Sequence, residues 1–258
     1  MRQLITYLRY FFEYLKHGDI RSIISSVQYV LFNTSHKNDR IIRTSIGTFF
    51  CRNNTNDFQF ANLAYEWGVK RFILKRKKEF SVFIDVGSCI GDYCILLAKM
   101  DKRCFAFEPV SDNIKTLMKN LRLNELQNTV RIIPYGLGEY NYQTSYKFDP
   151  VNTGASRMYK DKRPGENKAE IRRLDDLMPS LGIEPEEAIF MKIDIEGMET
   201  EALRGAMEFI RFYPQITLII EDYHSGQFPI IDTLNEIAVF EFGKVDKFNM
   251  YAKKLRNY

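Results

Sequence analysis

Tryptophan occurs once, histidine three times and cysteine four times in this 258-residue chain. Cys51, Cys89, Cys94 and Cys104 form no CxxC pair and no other metal-ligand spacing, which argues against a zinc module or a disulfide scaffold. They read as reduced, buried thiols of a cytoplasmic protein. No uninterrupted apolar stretch reaches the roughly 18 residues of a membrane span. Arg2, Arg9, Glu13, Lys16 and His17 break up the first 20 residues, so these lack the clean apolar centre of a secretory signal. Charge of one sign is also lacking. A net +4 is compatible with an anionic partner but, without a patterned basic face, speaks against nucleic acid. Internal repeats are missing, and the length suits one sizeable α/β domain with an extra segment.

What is present centres on SVFIDVGSCIG, Ser81 to Gly91. A short apolar run ends in Asp85 and opens into a loop with glycines at 87 and 91, the pattern of a buried strand feeding a tight turn and then a helix. A second apolar run closes on Glu108-Pro109, at the distance where a βαβ unit places an acid beside a ribose. A dinucleotide fold wants a middle glycine to admit a pyrophosphate, and here Ser88, Cys89 and Ile90 separate the two glycines. A nucleoside cofactor without a pyrophosphate fits better. S-adenosyl-L-methionine would pack against Gly87, Ser88 and Gly91, with Asp85 facing its positive charges and Glu108 its ribose.

Alternating strand and helix patterns from Phe80 onward predict an α/β fold with a mostly parallel, Rossmann-like sheet and a C-terminal antiparallel hairpin. Three segments are expected: an N-terminal helical extension over 1–45, a hairpin and helix lead-in over 46–79, and the main domain over 80–258. A lapse in the alternation at 136–187 marks an insertion. Its loop, NTGASRMYKDKRPGENK, is long enough to be functional and is placed to cover the cofactor turn. The helix over Met198 to Phe212 follows a sharp turn at Glu196-Gly197. The cationic run Lys70 to Glu79 reads as a solvated face. A helix from Phe58 to Gly68 and an N-cap at Ser111 are also expected.

At the N-terminus Leu4, Ile5, Leu8, Phe11, Phe12 and Leu15 recur at helical spacing, and a second helix covers Ile20 to Phe32. The pair reads as a helical cap on the main domain. Its aromatic residues beside basic ones also fit a peripheral membrane contact or a docking helix.

FIDVGSCIGDY, FAFEP and MKIDIEGMETEALRGA, with a later strand ending LIIEDYH, resemble the FkbM family of S-adenosylmethionine-dependent methyltransferases. The resemblance covers about Phe50 to Lys253 and includes RNNTNDFQF. It implies a class I methyltransferase fold and O-methylation of a small molecule or a glycan precursor. A natural-product hydroxyl is an alternative acceptor, and a non-catalytic cofactor-binding module is a third reading. A nucleic-acid amino methyltransferase should carry an Asn/Asp-Pro-Pro-aromatic turn where this chain has Asp194-Ile195-Glu196-Gly197.

Acceptor chemistry points to the same block. Methyl transfer to a hydroxyl needs in-line alignment and a base. Lys192, Asp194 and Glu196 are spaced by two, and would share one face if their strand persisted, with Glu199 opening the next helix. Asp194, Glu196 and His224 are the candidate catalytic residues, Asp194 also facing the cofactor; Lys192, Glu199 and Glu221 are candidates for substrate binding. His224, in a strand-end loop, titrates near neutrality when unperturbed. No dedicated spacing among these acids supports a metal site.

Overall fold

The computed structural model describes residues 2–154, 156–159 and 167–258. Helices α1 (Arg2–Lys16) and α2 (Ile20–Phe32) form a hairpin, and β1 (Arg40–Arg43) pairs antiparallel with β2 (Thr48–Cys51). Two short helices follow, α3 (Asp57–Phe60) and α4 (Trp67–Lys75). The main sheet begins with β3 (Val82–Val86), α5 (Asp92–Ala98), β4 (Arg103–Phe107), α6 (Ser111–Leu123) and β5 (Val130–Ile133). An inserted sheet contains β6 (Gly136–Leu137), β7 (Tyr142–Lys147), β8 (Arg157–Met158) and β9 (Asn167–Arg172). Then come α7 (Leu174–Leu181), β10 (Ile189–Ile193), α8 (Glu199–Arg204), α9 (Met207–Phe212), β11 (Ile216–Glu221), α10 (Gln227–Asn235), β12 (Val239–Lys244) and β13 (Asn249–Arg256).

The main sheet runs β12-β13-β11-β10-β3-β4-β5, parallel except where β13 pairs with β11 and β12. This is the mostly parallel α/β architecture with a terminal antiparallel hairpin that the alternation predicts. The chain leaves β3 towards β4 and β5, then returns to build outward from β10. The carboxyl ends of β3 and β10 are therefore the switch point, where open α/β sheets bind ligands. Every residue of β3 and β10 is buried, because helices cover both faces. Val82, Ile84 and Val86 join one apolar core while Phe83 joins the other, as the two-residue period of a strand requires.

Four local expectations are corrected. Lys70 lies in α4 and is fully buried, its Nζ 2.9 Å from Asp92 Oδ2 and 4.6 Å from the Tyr93 ring centre, so that part of the cationic run is not solvated. The helix expected over Phe58 to Gly68 is only α3 followed by turns, with Asn62 Oδ1 accepting from the Ala64 N–H. Ser111 opens α6 but does not cap it; its hydroxyl lies 3.2 Å from that of Tyr146. The helix after Gly197 breaks into α8 and α9. At Gly205 an added Cβ would come 1.9 Å from the Gly138 carbonyl oxygen, and Asp175 accepts the Phe209 N–H at the start of α9.

Candidate active site

The turn after β3 forms around residues in the left-handed region: Gly87 (φ 89°), Cys89 (φ 44°) and Gly91 (φ 85°). Gly87 is required by close approach, since a Cβ there would lie 2.0 Å from the Asp194 carbonyl oxygen. The N–H of Cys89 donates to Glu108 Oε2 at 2.8 Å and that of Val110 to Glu108 Oε1 at 2.9 Å. Burial raises the Glu108 carboxyl to about 6, against the pull of these two bonds. A first cleft opens here between Gly87, Glu108, Pro109, Asn113, Gly136 and Met198.

A second cleft adjoins it and shares Gly87, Cys89, Gly154, Asp194 and Glu196 with the first. Its lining carries Glu66, Asp85, Asp92, Asp194, Glu196 and Glu221 against Lys192 as the one cation among the described residues. Lys192 stands beside Asp85 in the register of β10 and β3. Its Nζ is 2.7 Å from Asp194 Oδ2 and 3.9 Å from Glu66 Oε2. Burial works to lower its pKa, but Asp194, Glu66 and Asp85 together hold it above the ordinary range. Asp85 is fully buried, and burial raises it to about 7, Lys192 opposing. Glu221 rises to about 8 through burial first, then the charges of Asp194 and Glu196. Asp85 Oδ1 and Glu221 Oε2 are buried with no hydrogen-bond partner among the described residues.

The strand of Lys192 ends at Ile193, so two-residue alternation does not reach Glu196. A turn with positive φ at Glu196 (57°) and Gly197 (102°) delivers the carboxylate instead. His224, in the loop after β11, places Nε2 3.1 Å from Glu196 Oε2.

Asp85, Gly87, Glu108, Pro109, Lys192, Asp194, Glu196 and Glu221 all line one or both clefts. Four candidates do not, among them His224, which meets the clefts through Glu196. The Ser88 hydroxyl donates to the Phe107 carbonyl at 2.9 Å, Gly91 packs on Leu117, and Glu199 is fully buried. Glu199 accepts the N–H groups of Ile195 and Gly197 and meets Ser225, so it braces the turn that carries Glu196.

Sequence reasoning missed Glu66, Asp92, Tyr93 and Asn113, and it gave RNNTNDFQF no task beyond a place in the family resemblance. The structure supplies one. Arg52 forms two hydrogen bonds of 2.8 Å to Asp57, and Thr153 Oγ1 donates to Asp57 Oδ1 at 2.8 Å. Asn56 exchanges bonds with Val151, Asn152 and Thr153, while Asn113 donates to the Thr153 carbonyl. This clamp holds Asn152, Gly154 and Ser156 against the clefts, where the inserted loop is expected. The basic part of that loop, 160–166, lies outside the described residues, as does Ala155.

A family model for the methyltransferase FkbM domain matches residues 85–248. The chain belongs to the FkbM methyltransferase family. S-adenosyl-L-methionine, the methyl donor implied by the sequence resemblance, goes with that membership. The residues suit it: a buried acid at the end of β4 faces the first cleft, and the unpartnered Asp85 Oδ1 offers a negative seat for a cationic group. Among similar proteins, the hexuronic acid methyltransferase AglP of Haloferax volcanii is 30% identical over 173 residues, spanning 67% of this chain and 68% of that protein. Methyltransferase 1 of Beauveria bassiana is 24% identical over 149 residues, 48% of this chain and 58% of that protein. A crystal structure of an FkbM methyltransferase from Methylobacillus flagellatus superimposes with a TM-score of 0.49 at 22% identity, covering 68% of this chain and 44% of that one.

Proposed function

We propose that this FkbM protein is an O-methyltransferase acting on a hydroxyl of a sugar or glycan precursor. When bound, S-adenosyl-L-methionine supplies a methyl group on a sulfonium. Glu108, held by the Cys89 and Val110 N–H groups, would accept hydrogen bonds from the cofactor's ribose, and Gly87 keeps the turn bare for close approach. Asp85, with its unpartnered Oδ1, would balance the cofactor's positive charge. Asp194, paired with Lys192, lies where the two clefts meet. Glu196 lines both clefts and takes the acceptor proton, while His224 orients its carboxylate and receives the proton in turn.

The observation that carries this reading is the shared wall of the two clefts, with six carboxylates around the second. Similarity to a hexuronic acid methyltransferase supports a sugar acceptor. The surplus of carboxylates favours a neutral hydroxyl over a second carboxylate as the reacting group, because like charges confined in a partly desolvated cleft repel. The test is transfer of labelled methyl to paired neutral and uronic nucleotide sugars and lipid-linked glycans. A base-stable ether on the neutral member is expected. A base-labile ester on the uronic member alone would replace the hydroxyl by a carboxylate acceptor. Cofactor binding without transfer to any acceptor would favour a binding module.

A further inference from the structure

The hairpin of α1 and α2 is apolar on two sides. Towards the body, Tyr14 is buried and its hydroxyl donates to the Phe58 carbonyl at 3.0 Å. Away from it, Ile5, Leu8, Phe12 and Leu15 recur at helical spacing and are 43%, 46%, 61% and 47% exposed. On α2, Ile20, Ile24, Val27 and Leu31 make a second exposed stripe, and Phe32 at its end is 70% exposed. A helix that packs on a soluble domain by one stripe carries polar residues opposite. These two carry apolar residues there.

Glu13 accepts the Ser45 N–H at 2.7 Å, and Asp19 pairs with Arg40 at 2.9 Å, so both acids of the hairpin are engaged by the body. Arg9, Lys16 and Arg21 are exposed, although Arg9 also lies 5.5 Å over the Trp67 ring and Lys16 Nζ donates to Ser45 Oγ at 2.9 Å.

We propose that this hairpin seats the protein on an anionic lipid surface, the exposed apolar side chains entering the acyl boundary and the exposed cations, Arg21 foremost, meeting the headgroups. No helix among the described residues is long and apolar enough to cross a membrane, so α1 and α2 lie along the surface. A second copy of the chain is the poorer partner, since a self-complementary contact would gather Arg9, Lys16 and Arg21 of both copies around one patch. Phe58 packs on Tyr14, and Phe60, on the same short helix, lines the second cleft. The lipid-facing hairpin is thus linked to the second cleft through α3.

The experiment is flotation of the full chain with phosphatidylcholine vesicles, with and without phosphatidylglycerol. Co-flotation is expected with the anionic vesicles and should weaken as salt rises. Phe12→Glu combined with Phe32→Glu should reduce partitioning at least about ten-fold. Arg21→Gln should reduce it about five-fold. All three positions are exposed, so circular dichroism and cofactor titration should be unchanged in these variants. A chain that stays with the vesicle-free fraction at low salt overturns the proposal. So does a dimer by light scattering that the double variant converts to monomer without any change in vesicle binding, which would assign the face to a second copy.

Discussion

The Cys89 N–H donates to Glu108 Oε2 at 2.8 Å, joining the turn after β3 to the acid at the end of β4. Turn and acid are therefore one unit. Glu108→Ala removes the ribose partner and also leaves the Cys89 N–H without its acceptor. Isothermal titration should show S-adenosylmethionine affinity falling roughly 10- to 100-fold; unchanged affinity would place the ribose elsewhere.

Cofactor binding should release protons near neutrality. Asp85 at about 7 is partly protonated in the free protein, and a cation at its unpartnered oxygen lowers that pKa. Calorimetry at pH 7 in buffers of different ionisation enthalpy should show net release, reduced in Asp85→Asn. Net uptake would contradict a cationic occupant.

The same carboxyl sets a pH trend in stability. Its folded pKa lies above the unfolded value of about 3.9, so the folded state binds the extra proton between the two. Its contribution is most favourable below pH 4 and declines as pH rises through about 7. Between pH 5 and 8, Asp85→Asn should lose less of its thermal midpoint than the parent, and equal losses in the two proteins would show that Asp85 is not the source.

Glu196→Gln should lower kcat about 10²- to 10⁴-fold with cofactor affinity kept, as for removal of a positioned base. His224→Ala should lower kcat less and alter the pH profile, because it acts through Glu196. A flat comparison of both variants with the parent would move the base to Asp194.

Asp57→Ala should be costly. Asp57 is fully buried and takes both Arg52 and Thr153, so its loss strands a mostly buried guanidinium, on the order of 3–5 kcal/mol. Denaturant unfolding reads the loss. Thr153→Val, which breaks one link, should chiefly raise KM. A Thr153→Val variant with parental KM would mean that the clamp does not shape the cleft.

The parts of the site that were legible in the sequence are those whose chemistry is local. An apolar run, an acid and two glycines mark β3 and its turn; FAFEP marks Glu108; DIEG marks a turn in which one residue, Gly197, tolerates positive φ. The cofactor's absent pyrophosphate could be inferred because a missing glycine is itself a local fact. Lys70 was misread because its charge pattern resembles a solvated helix, and only the placement of Asp92, Tyr65 and Tyr93 around it makes burial tolerable. Glu199 sits where a site acid is expected, yet its oxygens are taken by backbone N–H groups that only a folded turn presents. Ser88 differs from its glycine neighbours because its side chain can reach back to the Phe107 carbonyl.

The clamp of Arg52, Asn56 and Asp57 on Thr153 joins residues almost a hundred positions apart. Closing so long a segment carries an entropic cost that nearby pairings avoid, so β3, β4 and β5 can associate before this contact forms. During synthesis, neither cleft has its outer wall until the chain has grown past β8, and β10 must then add Asp194. Catalytic competence is accordingly a late event in the maturation of this protein, and a nascent or partly folded chain that already holds its glycine turn would still lack an enclosed place to carry out the reaction.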